Sequence, residues 1–125
     1  MFEDPKGPIT HFEWARFTIN GIVHGSGEGA GKDILLSEEG VSAWYEREGH
    51  KLKSEMLTRA LKRKPEVLLI GTGVNGALEI GNKARKAAQA AGVQLVAMRT
   101  PQACQEYNRL FHLGKKVVLL AHGTC

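Results

Sequence analysis

The first part of the chain alternates apolar and polar positions in the way that is typical of strands. The alternating apolar positions are Phe12 and Trp14, then Val41, Ala43 and Tyr45. Turn residues at Asn20-Gly21 and Gly40 separate the runs, so we predict antiparallel β structure from Ile9 to Tyr45. The stretch 25–32 is too rich in glycine to hold a regular element, and we expect a mobile loop there.

After Gly49 the pattern changes to helices that alternate with buried strands, which predicts a sheet flanked by helices. Ser54 is suited to cap a first helix, and Pro65 follows the end of that helix. The apolar stripe of this helix is Met56, Leu57, Ala60 and Leu61. The continuous branched residues from Val67 to Ile70 then predict a strand that is buried on both faces.

The same alternation continues to the last residues. A second helix is predicted from alanines at helical spacing, Ala84, Ala87, Ala88 and Ala91, and ends at Gly92. A strand follows over 93–98. Thr100 and Pro101 predict the cap and first residue of a third helix, which ends at Gly114, and 117–122 is the last strand.

Length and composition limit the class of protein. A chain of 125 residues with 42% hydrophobic residues has enough material for one core, so we predict a single domain over residues 1–125. No apolar run approaches the length of a membrane helix, and no export signal opens the chain. We expect a cytoplasmic protein whose two cysteines, Cys104 and Cys125, are reduced.

Charge is concentrated in one segment. The formal net charge is +4, and the segment 51–64 carries six lysines and arginines against the single acid Glu55. Such an excess favours an anionic partner. Because no aromatic residues are interleaved for base stacking, the segment argues against nucleic acid and is at least as consistent with an acidic protein partner.

The most suggestive motif is the glycine-rich stretch Gly71–Gly76, which follows a buried strand and fits the spacing of dinucleotide-binding turns. Its context is incomplete. Gly81 would interrupt a helix that starts within the motif, and Arg99 stands where an acidic residue would bind a ribose hydroxyl. A tight turn that needs glycine for its backbone conformation therefore explains the motif better than a cofactor does.

Other candidate chemistry is weaker. The stretch 25–32 departs from a phosphate-binding loop, because Ala30 replaces the second glycine and Asp33 follows Lys32. The five histidines show no metal-ligand spacing. Cys104 and His122 have the chemistry of a nucleophile and a base, but Cys104 lies beside the inward stripe of its helix, which favours core packing. We predict no catalytic residues and no metal ligands.

Three segments together resemble one known family. They are Leu68–Gly73, then Arg99–Cys104 with Tyr107-Asn108, and the final His122–Cys125. This combination is similar to the Mth938-like domain family, and the similarity covers most of the chain. The resemblance implies a three-layer α/β fold with a mixed central sheet flanked by helices and an extra N-terminal β layer. It also implies an assembly or regulatory protein that acts through partners. We predict no cofactor.

Two functions remain open at this stage. The first is a non-enzymatic protein-interaction or assembly module, and the second is a domain that binds a small anionic ligand such as a nucleotide. The residues expected to form the ligand site are Gly71, Thr72, Gly73, Arg99 and Thr100. The sequence leaves open the oligomeric state and whether His122, Thr124 and Cys125 form a site or a packed chain end.

Overall fold

The computed structural model describes residues 1–125. The strands are β1 Phe2–Glu3, β2 Ile9–Glu13, β3 Arg16–Ile19, β4 Ile22–Gly25, β5 Asp33–Ser37, β6 Gly40–Ala43, β7 Lys51–Leu52, β8 Val67–Gly71, β9 Glu79–Ile80, β10 Gln94–Met98 and β11 Val117–His122. The helices are α1 Thr58–Lys62, α2 Asn82–Ala90 and α3 Thr100–His112, and a 3-10 turn over Ser54–Leu57 precedes α1. No helix is both long and apolar enough to cross a membrane.

The central sheet is mixed and has the strand order β10-β8-β11-β5-β6. Strands β10, β8 and β11 are parallel, whereas β5 runs antiparallel to β11 and β6 antiparallel to β5. Successive residues of β8 and β11 enter different cores: Leu69 and Leu119 pack on one face, and Leu68 and Leu120 on the other. A sheet covered on both faces explains the continuous apolar runs of these strands.

One face of the central sheet is covered by α3, and the antiparallel sheet β1-β2-β3-β4 packs over that helix. Phe12, Phe17 and Tyr107 are fully buried between these layers. The Asn108 side chain joins helix to sheet, because its amide donates to the Ile9 carbonyl (2.8 Å) and its oxygen accepts from the Ile9 amide (3.0 Å). The predicted mixed sheet with an additional N-terminal β layer is confirmed.

The opposite face of the central sheet packs against the 3-10 turn, α1 and α2. Trp44 is buried here, and its indole nitrogen donates to the carbonyl of Met56 (3.1 Å). The short parallel pair β7-β9 lies in the same part of the fold and fixes the chain around His50, whose carbonyl accepts from the Glu79 amide (2.8 Å).

Both predicted helix caps are wrong. No side chain caps the 3-10 turn, which has Lys53 at the N-cap position, and the Ser54 hydroxyl instead contacts the Glu55 carboxylate (3.4 Å). Thr100 is the first residue inside α3 rather than its cap. Its fully buried hydroxyl is used in tertiary hydrogen bonds, and these override the local preference of threonine for the cap position.

The glycine-rich stretch 25–32 forms hydrogen-bonded turns. Gly25 and Glu28 exchange backbone hydrogen bonds of 3.0 and 3.1 Å, and the Ala30 amide donates to Nδ1 of His24 (2.8 Å). Gly29 has φ +58°, and a Cβ there would lie 2.5 Å from the His24 ring, so the close approach requires glycine.

Candidate functional site

The residues predicted to bind a ligand lie together at one edge of the central sheet, where the parallel strands β8, β10 and β11 end. Gly71 ends β8 and pairs with Met98 and Ala121 of the neighbouring strands. Thr72 donates from its amide (2.9 Å) and its hydroxyl (3.1 Å) to the carbonyl of Met98. The Gly73 amide donates to the Thr100 hydroxyl (2.9 Å), which donates in turn to the His122 carbonyl (2.7 Å).

The remaining predicted residue, Arg99, is exposed beside this turn. A Cβ at Gly76 would lie 3.5 Å from Arg99 Nε, so the Arg99 side chain packs against the turn at Gly76. The structure therefore brings all five predicted residues to one place. Only Arg99 among them presents a charged group to solvent.

The amides of the turn 71–77 are used by the last residues of the chain. Val74 donates to the carbonyl of Thr124 (2.7 Å), and Asn75 and Ala77 donate to the backbone oxygen of Cys125 (3.0 and 3.1 Å). These are amides of the kind that hold phosphate in dinucleotide-binding turns. An anion would reach them by displacing Thr124 and Cys125, and ligand binding at the five residues stays a prediction.

Gly73 permits this arrangement because it has no side chain. Its φ is +106°, and a Cβ would lie 2.7 Å from the backbone oxygen of Cys125 and 2.9 Å from that of Thr124. The glycine thus provides both a backbone conformation that other residues avoid and the space through which the chain end passes.

A second group of side chains meets at the same edge of the sheet. His50, His122 and Cys125 each direct one nitrogen or sulfur atom into a cluster in which these atoms lie within 4.8 Å of one another. We call this the His50–His122–Cys125 cluster. His122 is buried, Cys125 is half-buried, and His50 is exposed. Imidazole and thiol groups at this separation suit either metal ligation or thiol chemistry.

Asp33 fixes the orientation of the His122 ring. Because β5 runs antiparallel to β11, Asp33 pairs with His122 across the sheet, and its Oδ1 lies 2.9 Å from Nδ1 of the imidazole. The Gly123 amide (3.1 Å) and Arg47 Nε (2.9 Å) also donate to this carboxylate. Burial acts to raise the pKa of Asp33, but these hydrogen bonds outweigh it and lower the pKa to about 2.

The contact with Asp33 fits the neutral imidazole tautomer in which Nδ1 donates to the carboxylate, and in that tautomer Nε2 carries a lone pair. The nearest hydroxyl, Oγ1 of Thr124, lies 3.4 Å from Nε2, at the limit of a hydrogen bond. His122 therefore has the chemistry of a general base or a metal ligand.

Cys104 is not part of this cluster. It is fully buried in the core around α3, and burial strongly raises the pKa of its thiol. This agrees with the core-packing interpretation of Cys104. Cys125, and not Cys104, is the cysteine that the fold places near the imidazole of His122.

The basic segment identified from the sequence contains both paired and unpaired charges. Arg59 forms an ion pair with Glu46 (2.7 Å), and Arg63 forms one with Glu39 (2.8 Å), so both arginines are used within the fold. Lys51 and Lys53 form no ion pair. They line a groove of about 470 Å³ together with Lys83 of α2, a residue that lies far from them in sequence.

We call this groove the basic groove. Its lining residues are Lys51, Leu52, Lys53, Ser54, Glu55, Gly81, Asn82 and Lys83. Helix α2 begins in the groove at Asn82, and no side chain caps its first turn. The free amides and positive dipole of that turn add to the charge of the lysines.

Comparison with known proteins gives a family but no activity. A family model described as "Protein of unknown function (DUF498/DUF598)" matches residues 9–122. No curated protein matches the sequence.

Solved structures share the fold over nearly the full chain. The protein MT938 is 26% identical, with a TM-score of 0.74, and the similarity covers 94% of this chain and 97% of that chain. An outer membrane protein from Bartonella henselae is 23% identical, with a TM-score of 0.78 and coverage of 94% and 95%. A Bordetella pertussis protein described as a Mth938-like domain is 21% identical, with a TM-score of 0.69 and coverage of 98% and 91%. The chain therefore belongs to the DUF498 family of unknown function and has the Mth938-like fold.

Proposed function

We propose that this protein is a non-enzymatic interaction or assembly module that binds an acidic segment of a protein partner in the basic groove. The observation that carries the proposal is the convergence of Lys51, Lys53 and Lys83 on one groove, with no acidic group paired to any of them. Unpaired charges of one sign on a concave surface attract and orient a partner of opposite charge.

The two arginines of the same segment differ from the groove lysines. Arg59 and Arg63 face Glu46 and Glu39, so their charges stabilise the fold and are not available to a partner. The groove lysines form no ion pairs, and only Glu55 among the lining residues is acidic. Carboxylates of a bound segment would meet the lysine ammonium groups and the uncapped first turn of α2.

The composition of the groove favours an acidic polypeptide over nucleic acid. Single-stranded nucleic acid is normally held by aromatic side chains on which bases stack, in addition to positive charge. The groove contains no aromatic residue, and Leu52 is its one apolar side chain. An extended acidic segment needs only the charge and the concave shape.

Binding of a fluorescein-labelled glutamate-rich peptide, followed by fluorescence anisotropy, tests the proposal. The test variant carries Lys51→Glu, Lys53→Glu and Lys83→Glu. A matched control carries Lys6→Glu, Lys32→Glu and Lys116→Glu, three exposed lysines outside the groove. Both triple variants have the same net charge, so a difference between them reports position rather than total charge.

We expect the groove variant to weaken peptide binding by about tenfold or more, since each exposed ion pair contributes up to about 1 kcal/mol. The control variant should bind nearly as the wild type does, and added salt should weaken all three. Equal loss in both triple variants would show that binding depends only on net charge and would overturn the proposal. Tighter binding of single-stranded DNA than of the peptide would favour nucleic acid as the partner.

A further inference from the structure

The His50–His122–Cys125 cluster combines three potential ligand atoms from distant parts of the chain. His50 directly precedes β7, and His122 is the last residue of β11. Cys125 lies three residues after the end of β11. One atom of each residue lies within 4.8 Å of the others. Imidazole nitrogen and thiolate sulfur are the ligand atoms that zinc binds in most of its protein sites.

The backbone around each donor is held by contacts that do not depend on an ion. The carbonyl of His50 accepts from the Glu79 amide, and the backbone oxygen of Cys125 accepts from Asn75 and Ala77. Arg47 donates to Asp33 (2.9 Å) and to the carbonyl of Gly49 (2.5 Å), which links the chain before His50 to the partner of His122. The backbone of the donor residues is therefore held in place without an ion, which reduces the ordering that binding would require.

The contact between Asp33 and His122 has the form that accompanies many metal ligands. A ligating imidazole usually donates its second ring N–H to a carboxylate, which fixes the tautomer and raises the basicity of the ligating nitrogen. Here Nδ1 of His122 lies 2.9 Å from Oδ1 of Asp33, which leaves Nε2 as the ligand atom. This nitrogen is on a side chain only 1% exposed, whereas His50 is open to solvent and provides a route for entry.

We propose that His50, His122 and Cys125 bind one zinc ion, with Asp33 as the positioning residue for His122. Three protein ligands leave a fourth position for water or for a group of another molecule. On binding, the Cys125 thiol releases its proton to solvent and coordinates as the thiolate. This site shares no residue with the basic groove, although His50 directly precedes Lys51, and it does not depend on the proposed function.

The same residues also resemble a nucleophile, base and orienting acid, in which Cys125, His122 and Asp33 would form a thiol triad. The position of His50 favours the metal. Its ring centre lies 6.0 Å from that of His122, and a second imidazole has no role in a thiol triad but is a ligand in a metal site. In the metal site the Cys125 sulfur coordinates the ion, whereas in the triad it stays free and reactive when zinc is added. The experiment measures coordination and reactivity of this sulfur.

The experiment titrates the metal-free full-length chain with Zn²⁺ by calorimetry and with Co²⁺ by absorption spectroscopy. We expect one ion per chain and a thiolate-to-cobalt charge-transfer band. Cys125→Ser should abolish the band, although Cys104 is still present. His50→Ala should weaken Zn²⁺ binding by about tenfold or more, and Asp33→Asn by about 10- to 100-fold with an altered cobalt spectrum.

His11→Ala is the matched control, because His11 lies in the N-terminal sheet near Glu3 and Glu13 and outside the cluster. It should bind Zn²⁺ as the wild type does. Circular dichroism of each variant confirms that it is folded, and His50→Ala changes an exposed residue whose loss leaves the core intact.

Three results would overturn the proposal. They are the absence of Zn²⁺ binding to the folded wild type, binding that persists in both His50→Ala and Cys125→Ser, and a cobalt band that survives Cys125→Ser. Alkylation of Cys125 that is rapid at neutral pH and unaffected by Zn²⁺ would instead assign the residues to the thiol triad. A variant with Lys51, Lys53 and Lys83 replaced by alanine, which adds no carboxylate beside His50, should keep its zinc affinity while losing peptide binding, so failure of one proposal is distinguishable from failure of the other.

Discussion

Two places in this molecule present backbone amides in a geometry suited to an anion, and they are used in opposite ways. In the turn 71–77, amides donate to the oxygens of Thr124 and Cys125, and the Gly73 amide donates to Thr100. At the start of α2, no side chain caps the first turn, and Lys51, Lys53 and Lys83 surround it. In the turn, the amides are hydrogen-bonded to other parts of the protein. At the start of α2, the first-turn amides and the three lysines are left to interact with solvent or with a partner.

The difference shows what a glycine motif specifies. Glycine spacing indicates that another group can approach the backbone closely, but it does not say which group. In this chain the approaching group is the backbone of Thr124 and Cys125. The basic groove has no motif at all, yet its charge is free because Lys83 joins Lys51 and Lys53 from a different helix.

The largest expected effect comes from filling the space beside the turn. Gly73→Ala places a Cβ 2.7 Å from the backbone oxygen of Cys125 at φ +106°. Backbone strain and overpacking together should lower the free energy of unfolding by about 3 kcal/mol in urea denaturation. Gly114→Ala is the matched control, because its φ is +78° but nothing lies within 4 Å of its Cβ, and it should cost about 1 kcal/mol. Equal losses would mean that contact with the chain end is unimportant.

The next effect tests the hydroxyl that links the turn to β11. Thr100→Val keeps the shape but removes the acceptor of the Gly73 amide and the donor to the His122 carbonyl. Two buried polar groups lose their partner, so the free energy of unfolding should fall by about 2 kcal/mol. Thr100→Ser retains the hydroxyl and should recover most of this loss. If valine were as stable as serine, the linkage would contribute nothing.

A smaller effect concerns the ion pair between Glu46 and Arg59. Burial acts to raise the pKa of Glu46, but hydrogen bonds from Arg59 outweigh it and lower the pKa below the ordinary value of 4.5. The stabilisation is therefore present at neutral pH and is lost as the pH falls through the folded-state pKa. Between neutral pH and about pH 3, the wild type should lose about 1 kcal/mol more than Glu46→Gln. Thermal unfolding across this range measures the difference, and parallel pH profiles would show that the pair is not structural.

The smallest effect is expected in the groove itself. Replacing Lys51, Lys53 and Lys83 together by alanine removes charges that form no ion pair in the fold. The free energy of unfolding should stay within about 0.5 kcal/mol of the wild type, since surface substitutions away from such contacts are nearly neutral. A loss as large as that of Thr100→Val would show that these lysines stabilise the fold and would weaken the contrast between the two regions.

Much of the fold was predictable because its signals are local. The continuous apolar run at 67–70 and the alanine spacing around Ala84 and Ala88 identify a buried strand and a helix that packs closely on a sheet. Helix caps were less predictable. Thr100 has the residue type of a cap, but its hydroxyl binds Gly73 and His122, and these partners are 27 and 22 positions away in sequence.

The candidate site shows the same limit more strongly. The sequence drew attention to His122 and Cys125 but could not show that they lie close to each other, and His50 and Asp33 carry no local signal. Asp33 meets His122 only because β5 pairs antiparallel with β11 in one register. His50 joins them because β7 pairs with β9 and fixes the preceding chain.

The sequence by itself determined the class of fold, the alternation of strands and helices, the net positive charge and the membership of the family. These depend on periodicity, composition and motifs, all of which are properties of neighbouring residues. The tertiary structure decided which charges are paired, what occupies the glycine turn and which side chains meet His122. Those outcomes depend on strand register and on contacts across the whole chain, and for that reason the chemistry of this protein lies where its distant segments converge.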